Sequence, residues 1–310
     1  MQFFDQAAVA QALPYPTLIA ALARGLQEPI ESPLRSHFEP NGDASTVLIM
    51  PAWKAQQMMG VKLVSIWPGN SALGKSAVSG VYVLISCADG QAQAVLDGTE
   101  LTLRRTAAAA ALAATRLARK SSQTLAILGT GSLSAPLALA HASVMDFKRV
   151  LVWGRDAKKA EAVVRSLALQ GLQAQASADL QATLAQADVV AAASTATTPF
   201  IPADWVRPGT HLGLVGAFTP TMAEAEPALM PRAQVFADNR EAVLQKGGEL
   251  LQAIQQGLVP ASAIEAELAE LAAQPERTWR QSEDAITVFK SVGFAALDLI
   301  AAEKVLARAP

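Results

Sequence analysis

Apolar residues recur along this chain in two different rhythms. In the first third they form short blocks at residues 46–50, 61–67, 80–86 and 92–96, each read as a strand. The last two flank Asp89-Gly90 and predict a hairpin. Before them, residues 5–26 carry apolar positions at helical spacing. Pro14 interrupts that helix, and Tyr15-Pro16 opens a second one reaching Leu26. Pro29 and Pro33 mark an extended crossing segment. An alanine-rich helix, from Thr102 or Thr106 to Arg119, then leads into a βα alternation. Its strands are read at 124–128, 148–153, 171–174, 188–193, 211–216 and 234–238, with helices at 135–142, 157–170 and 179–186. The final helix is read over roughly 286–307. The pattern predicts an α/β protein: a Rossmann-type doubly wound parallel sheet inserted into a smaller α+β domain. The expected boundaries are 119–289 for the inserted domain and 1–118 plus 290–310 for the other.

The alternation is organised around residues 124–155. An apolar strand runs directly into Gly129-Thr130-Gly131, a helix follows, and the next strand ends at Gly154-Arg155. Glycines suit such a turn because a phosphate can approach backbone N–H groups at a positive helix end. The third position of the G-x-G-x-x-G pattern is Ser134, small enough for close helix–strand packing. An acidic residue usually follows the second strand where the ribose 2′-hydroxyl is bound. Here Arg155 stands instead, with Lys158 and Lys159 one turn on, a set that suits a 2′-phosphate. This reads as an NADPH site, with NADH used at lower efficiency. A plain βαβ turn would use the same glycines.

The balance of 25 basic and 27 acidic side chains, without a basic block, argues against nucleic acid. Three histidines and the single Cys87 form no metal-ligand pattern, and the lone cysteine fits a reducing compartment. No apolar run reaches a membrane span, so a cytoplasmic protein is expected. Arg104 and Arg105 are read at the mouth of the alanine-rich helix. A cation is unfavourable there unless an anion is held beside it. That logic suits Arg105, while Arg104 is read as a solvated charge. The hydroxyls after the strand at 188–193 lie where doubly wound sheets hold ligands.

Several blocks, taken in this order, resemble the ornithine cyclodeaminase/mu-crystallin family. They are Gly60-Val61-Lys62-Leu63-Val64 with Pro68-Gly69-Asn70, Thr102-Leu103-Arg104-Arg105-Thr106, Gly216-Ala217-Phe218-Thr219-Pro220 and Asp238-Asn239-Arg240-Glu241-Ala242. The resemblance runs almost end to end. It implies a homodimer, a substrate and dimerisation domain built from the N-terminal third and the last helix, and an inserted Rossmann domain. It also implies that Arg35, Lys62 and Arg105 hold the substrate carboxylate, with Lys62 and Arg105 the catalytic candidates. A lysine snorkelling from a sheet edge is the structural alternative for Lys62. The candidate cofactor residues are Thr106, Gly129, Gly131, Ser132, Leu133, Gly154, Arg155, Lys159, Ser194, Thr195, Val215 and Ser291.

One departure narrows the expected activity. The family's cyclodeaminases carry a catalytic aspartate where this chain has Phe218, and phenylalanine cannot take a proton. Glu224 and Glu226 are the nearest carboxylates and are read as surface charges. Cyclisation of ornithine with ammonia loss is therefore disfavoured. The resemblance is nearest to reductases of cyclic ketimines. Those convert Δ1-pyrroline-2-carboxylate to L-proline and Δ1-piperideine-2-carboxylate to L-pipecolate, in proline metabolism and lysine degradation. Two other readings stay open: an alanine-dehydrogenase-like enzyme, and a non-catalytic NADPH-dependent ligand-binding protein of crystallin type.

Overall fold

The computed structural model describes residues 1–42 and 45–308. The chain forms two compact units, Met1–Arg105 with Phe294–Pro310, and Thr106–Gly293. The last two positions of the expected 290–310 segment lie outside the described residues. In chain order the elements begin β1 (Gln2–Phe4), α1 (Gln6–Ala12), α2 (Tyr15–Gly25), β2 (Ser36–Phe38), β3 (Thr46–Lys54), β4 (Met58–Ile66), β5 (Val78–Ser86), β6 (Ala92–Asp97) and α3 (Gly98–Leu117). They continue β7 (Thr124–Leu128), α4 (Ser134–Ala142), β8 (Arg149–Trp153), α5 (Ala157–Leu169), β9 (Gln175–Ser177), α6 (Leu180–Gln186), β10 (Val189–Ala192) and β11 (His211–Leu214). The remainder are β12 (Ala233–Ala237), α7 (Arg240–Lys246), α8 (Gly248–Gln255), β13 (Ile264–Glu267), α9 (Leu268–Ala273), β14 (Ile286–Lys290) and α10 (Ala295–Leu306).

The first unit holds a six-stranded sheet in the order β1-β6-β5-β4-β3-β2. It is antiparallel except where β1 joins β6 in parallel. Side chains alternate along β3, so Leu48, Met50, Ala52 and Lys54 are buried while Val47, Ile49, Pro51 and Trp53 are only partly covered. Helix α10 packs on β3, β4 and α2, which accounts for the buried face. The strand runs past the expected end at Met50. Trp53 N–H is directed to Glu31, away from β4, and Pro51 faces the same side beyond the residues that β2 pairs. Its missing N–H therefore costs no ladder bond.

Helix α3 begins a turn earlier than the sequence suggested. Asp97 accepts from the Glu100 N–H at 2.7 Å, so the cap sits at Asp97. Arg104 and Arg105 consequently lie in the helix's second turn, not at its mouth, and the helix-end reading of Arg105 is corrected. Arg104 is no solvated charge either. It bonds Glu100 at 2.6 Å, donates to the Leu13 carbonyl and lies over the Tyr15 ring.

The second unit is an eight-stranded parallel sheet, ordered β13-β12-β14-β11-β10-β7-β8-β9. The chain winds outward from β7 through β8 to β9, then returns to place β10 on the other side of β7. The topological switch point therefore lies between β7 and β10. At the opposite strand ends Asp188 accepts from Gln123 and Thr124 N–H groups, Arg119 and Arg207, and so ties the start of β10 to that of β7. Ala107 to Ala114 of α3 are all buried, as the smooth alanine run predicts.

Two expectations fail here. Residues 171–174 form a turn with Gly171 at φ +82, and the strand follows at Gln175–Ser177. Residues 286–290, assigned to the final helix, are instead β14, fully buried between β11 and β12. Ile286, Thr287 and Val288 are β-branched and suit a strand covered on both faces.

Gly98 shows how tightly α3 is seated on the first unit's sheet. A Cβ there would lie 2.7 Å from Gly80 C and 2.8 Å from Val81 N, backbone atoms that cannot rotate away. Gly98→Ala should lower stability by about 1–3 kcal/mol, measured by urea unfolding. Wild-type stability would show that the helix start can shift outward.

Candidate active site

Lys62 sits midway along β4 on the covered face of the sheet, and Arg105 lies on α3. Between them stands Asp298, in the first turn of α10. Lys62 Nζ donates to Asp298 Oδ1 and Oδ2 at 2.8 and 2.7 Å, and Arg105 Nε donates to Oδ1 at 2.8 Å. Thr102 Oγ1 receives a third bond from Lys62 Nζ at 3.3 Å. Lys62 is 1 % exposed, Arg105 5 % and Asp298 0 %. Lys62 is therefore no snorkelling edge lysine. Burial pulls its amine down to about 7. The Arg105 and Arg35 charges add to that pull, and the charge and hydrogen bonds of Asp298 oppose it. Arg35, just before β2, is thus close enough to act on Lys62. Two cations share one carboxylate, an excess of positive charge suited to a small anion.

Sequence reasoning missed Asp298. Its only signal was an acidic residue inside the apolar stripe of the last helix, 193 positions from Arg105 in the chain. A charge on a buried helix face needs a partner, and that rule could have found it.

The second unit carries the expected cofactor residues. Gly129 follows β7 at φ +124, and a Cβ there would meet the Ala193 carbonyl oxygen at 2.5 Å. This glycine serves both the left-handed turn and the close approach of the β10 end. A Cβ on Gly131 would meet nothing within 4 Å, so the turn is open on that side, and Ser132 there is exposed. Ser134 is buried and its hydroxyl donates to the Gly129 carbonyl at 2.9 Å, closing the turn where a third glycine is commonly found. Leu133 is the residue before α4. The turn fits the pyrophosphate of a dinucleotide: open at Gly131, backed by a helix start, and at the switch point.

Gly154 ends β8 packed against Thr130, where a Cβ would be 2.5 Å from the threonine methyl. Arg155, Lys158 and Lys159 follow, all exposed. Asp156 lies among them, but its carboxylate caps α5 by accepting from the Lys158 and Lys159 N–H groups. Two lysines in a helix's first turn oppose its dipole, which favours an anion there.

Ser194 and Thr195 follow β10, and Val215 follows β11. Both loops are fixed by Glu224, whose two oxygens accept from Ser194 N at 2.6 Å and Gly216 N at 2.7 Å. Glu224 is 0 % exposed, which corrects its reading as a surface charge; Glu226 is exposed as expected. Glu249 accepts from the Glu224 N–H and pairs with Lys290 at 2.9 Å, all within the buried interior. Burial raises the Glu224 carboxyl to about 7, opposed by Lys290 and assisted by Glu249. Phe218 packs on the second unit's core. Ser291, after β14, donates its hydroxyl to Asp238, whose carboxylate also accepts from Val292 and Gly293 N–H groups. Thr106 is buried on α3. The candidates thus fall into two sets: Arg35, Lys62 and Arg105 in the first unit, and the cofactor residues in the second.

The two buried histidines, His141 and His211, offer no base near neutral pH. Burial holds His141 down to about 4 and His211 down to about 3. Among the described residues no group of acidic, histidine or cysteine side chains could hold a metal, and no helix is long and apolar enough to cross a membrane.

One unit with a doubly wound sheet and a dinucleotide turn, and another carrying a buried cation cluster, define a Rossmann-type protein equipped for a nucleotide. Residues 10–310 match the ornithine cyclodeaminase/mu-crystallin family. The chain belongs to that family. It is 38 % identical over 306 residues to a Delta(1)-pyrroline-2-carboxylate reductase of Paracoccus denitrificans, covering 97 % of this chain and 95 % of that one. Among solved structures it is similar to Thermococcus litoralis Delta(1)-pyrroline-2-carboxylate reductase in complex with NADH and L-proline. That match has a TM-score of 0.94 at 26 % identity, over 99 % of this chain and 97 % of the other. An archaeal alanine dehydrogenase dimer with bound NAD follows, with a TM-score of 0.91 at 26 % identity over 99 % and 95 % of the two chains.

The Glu224 network gives a signed pH prediction. Its folded value of about 7 lies above the ordinary 4.5, so the folded state binds this proton more tightly than the unfolded chain. Glu224's contribution to stability is then complete below pH 4.5 and is lost as pH rises through 7. Glu224→Gln cannot titrate, and it can accept only one of the two N–H bonds. The stability gap between wild type and variant should shrink by about 2–3 kcal/mol from pH 5 to pH 8, measured by urea unfolding at both. A gap that widens would show Glu224 charged throughout, held by Lys290.

Proposed function

We propose that the protein reduces cyclic ketimines bearing a 2-carboxylate, Δ1-pyrroline-2-carboxylate to L-proline and Δ1-piperideine-2-carboxylate to L-pipecolate, with NADPH as the preferred cofactor. The chain is an oxidoreductase acting on C=N bonds. The single observation that carries the reading is the buried Lys62–Asp298–Arg105 cluster, in which two cations face one carboxylate. The names of its relatives, pyrroline-2-carboxylate reductases over nearly the full chain, support the same chemistry.

In this reading the Arg105 guanidinium takes the substrate carboxylate with its terminal nitrogens, since Nε is already committed to Asp298. Arg35 adds charge from the β2 side. Lys62 stands as an ammonium whose amine titrates near neutrality, so it can give a proton to the imine nitrogen and regain one from water. A bound nicotinamide supplies the hydride to the carbon of the C=N bond. Gly129 and Gly131 bind the pyrophosphate, and Arg155 with Lys159 binds the 2′-phosphate. Phe218 leaves no acid where the cyclodeaminases have one, which supports reduction of a ready-made imine over ammonia loss.

The partly covered apolar face of the first unit's sheet, with Ile49, Trp53, Leu63 and Val83, supports a homodimer, as in the alanine dehydrogenase dimer. The deciding assay follows NADPH oxidation across cyclic ketimines, 2-oxo acids with ammonia, and L-ornithine. Turnover with pyruvate and ammonia but no ketimine would replace the reading with an alanine dehydrogenase. Ligand binding without NADPH oxidation would favour a crystallin-type role.

Two variants test the assignments. Arg155→Ala should raise the NADPH KM roughly tenfold and leave NADH within about twofold, because only NADPH carries the 2′-phosphate. Equal losses with both cofactors would make Arg155 structural. Arg105→Lys keeps the charge but not the fork, and a bidentate charged bond of about 2–4 kcal/mol predicts a 30- to 1000-fold lower kcat/KM. NADPH binding, followed by fluorescence, should be unchanged. Lys62→Met keeps the apolar stem, so turnover should fall while the cofactor still binds. Wild-type turnover in either would remove that residue from the site.

A further inference from the structure

Among the described residues, Asp298 is the one acidic side chain bonded to both candidate catalytic cations. It stands on a helix of the first unit, while Lys62 projects from a strand and Arg105 from a different helix. Asp298 Oδ1 receives both cations, and Oδ2 receives Lys62 alone. Its place in the first turn of α10 adds the helix's own positive end to its surroundings.

We propose that Asp298 is the positioning residue of the carboxylate clamp: its carboxylate fixes the Lys62 ammonium and the Nε edge of Arg105 together, and so leaves the terminal nitrogens of Arg105 to bind substrate. The inference rests on the ketimine-reductase reading for its substrate, but on geometry for its mechanism. Among the described residues the terminal nitrogens of Arg105 donate to no protein acceptor, whereas Nε does. Lys62 is anchored by Asp298 and Thr102, which holds the amine in a fixed place above the sheet. Without the carboxylate, two buried cations would face each other with no counter-charge, and Lys62 would shed its proton or swing away.

Other charges reach this cluster from each element around it. Arg35 acts on Lys62 from the β2 side. Tyr82 is paired with Lys62 across β4 and β5, and its buried hydroxyl lies over Gly60. Burial first, then the Asp298 and Glu303 charges, keep that phenol protonated well above its ordinary range. Glu303, further along α10, is itself paired with Lys54 at 2.6 Å. Asp298 is the group among these that bonds Lys62 directly and bears the opposite charge. Removing it should act on Lys62 with a definite sign: the amine loses its proton at lower pH.

The test is Asp298→Asn, the same shape without the charge, assayed for kcat/KM on Δ1-pyrroline-2-carboxylate from pH 5 to 9. The basic limb of the profile should move at least one unit toward acid. The loss at pH 8 would then exceed the loss at pH 5 by about tenfold, since each unit is tenfold in the protonated fraction. A residue with only a structural role would lower the whole profile and leave its limb in place, and that result overturns the proposal. Should Asp298→Asn fail to fold, Asp298→Glu decides. It keeps the charge one methylene further out, so the limb should stay and kcat/KM should fall at every pH; a displaced limb or wild-type kcat/KM overturns the inference. A second arm uses calorimetry with pyrrole-2-carboxylate, a flat ring with the carboxylate but no reducible C=N bond. Its binding to wild type should weaken on a basic limb that moves to acid in Asp298→Asn. That shift with no ketimine turnover in wild type would reject the substrate reading alone. No binding to wild type, or an unmoved limb, would reject the clamp.

Discussion

A lysine and an arginine cannot be buried side by side without a counter-charge, and a single carboxylate supplies it here. Isolated, a buried ammonium is expensive enough to lose its proton. Asp298 offsets that cost by bonding Lys62 with both oxygens and Arg105 with one. The balance is deliberately incomplete in physical terms. Lys62 and Arg105 together carry more positive charge than one carboxylate can answer. In the proposed reading an incoming carboxylate completes it, which would couple ligand affinity and the protonation of Lys62 through the same few ångströms.

The second unit uses buried acids in the same way, as fixed anchors for backbone. Glu224 holds the loops after β10 and β11, Asp238 holds the turn after β14, and Asp188 ties the opposite ends of β7 and β10. The loops at the carboxyl edge are thus set by carboxylates that accept N–H bonds from rigid positions. Gly216 shows the tolerance: a Cβ there would lie 2.1 Å from Ser194 N and 2.5 Å from Glu224. Such edges are preorganised, which is what a dinucleotide site requires.

Much of this was legible from residue order. The βα alternation and the glycine turn specify the parallel sheet because strand, turn and helix signals are local. Lys62 and Arg105 were visible through their motifs, and the structure joins them through an acid that no local pattern could announce. Asp298 depends on a contact between the first and last parts of the chain. Glu224 likewise looked like a surface charge, since its partners are backbone N–H groups 8 and 30 residues away. The strand at Ile286–Lys290 was taken into a helix because a short apolar run fits either period. The three-residue strands β1 and β2 exist through pairing with β6 and β3, a tertiary cause.

Three of the buried acids, Asp298, Glu224 and Asp238, are already engaged as acceptors, and none stands free to shuttle a proton. The position where the family's cyclodeaminases carry an acid holds Phe218, packed on the core. These three acids therefore orient, and in the proposed reading the proton chemistry falls to an amine. An ammonium between an arginine and an aspartate can protonate a nitrogen beside a bound carboxylate, but it cannot activate an amine nucleophile while it is itself charged. In the proposed reading, the arrangement that suits Lys62 to donate to a C=N bond makes it a poor base for cyclisation. On that reading, specificity for reduction over ammonia loss would follow from which groups are ionised, without any change in how the carboxylate is held.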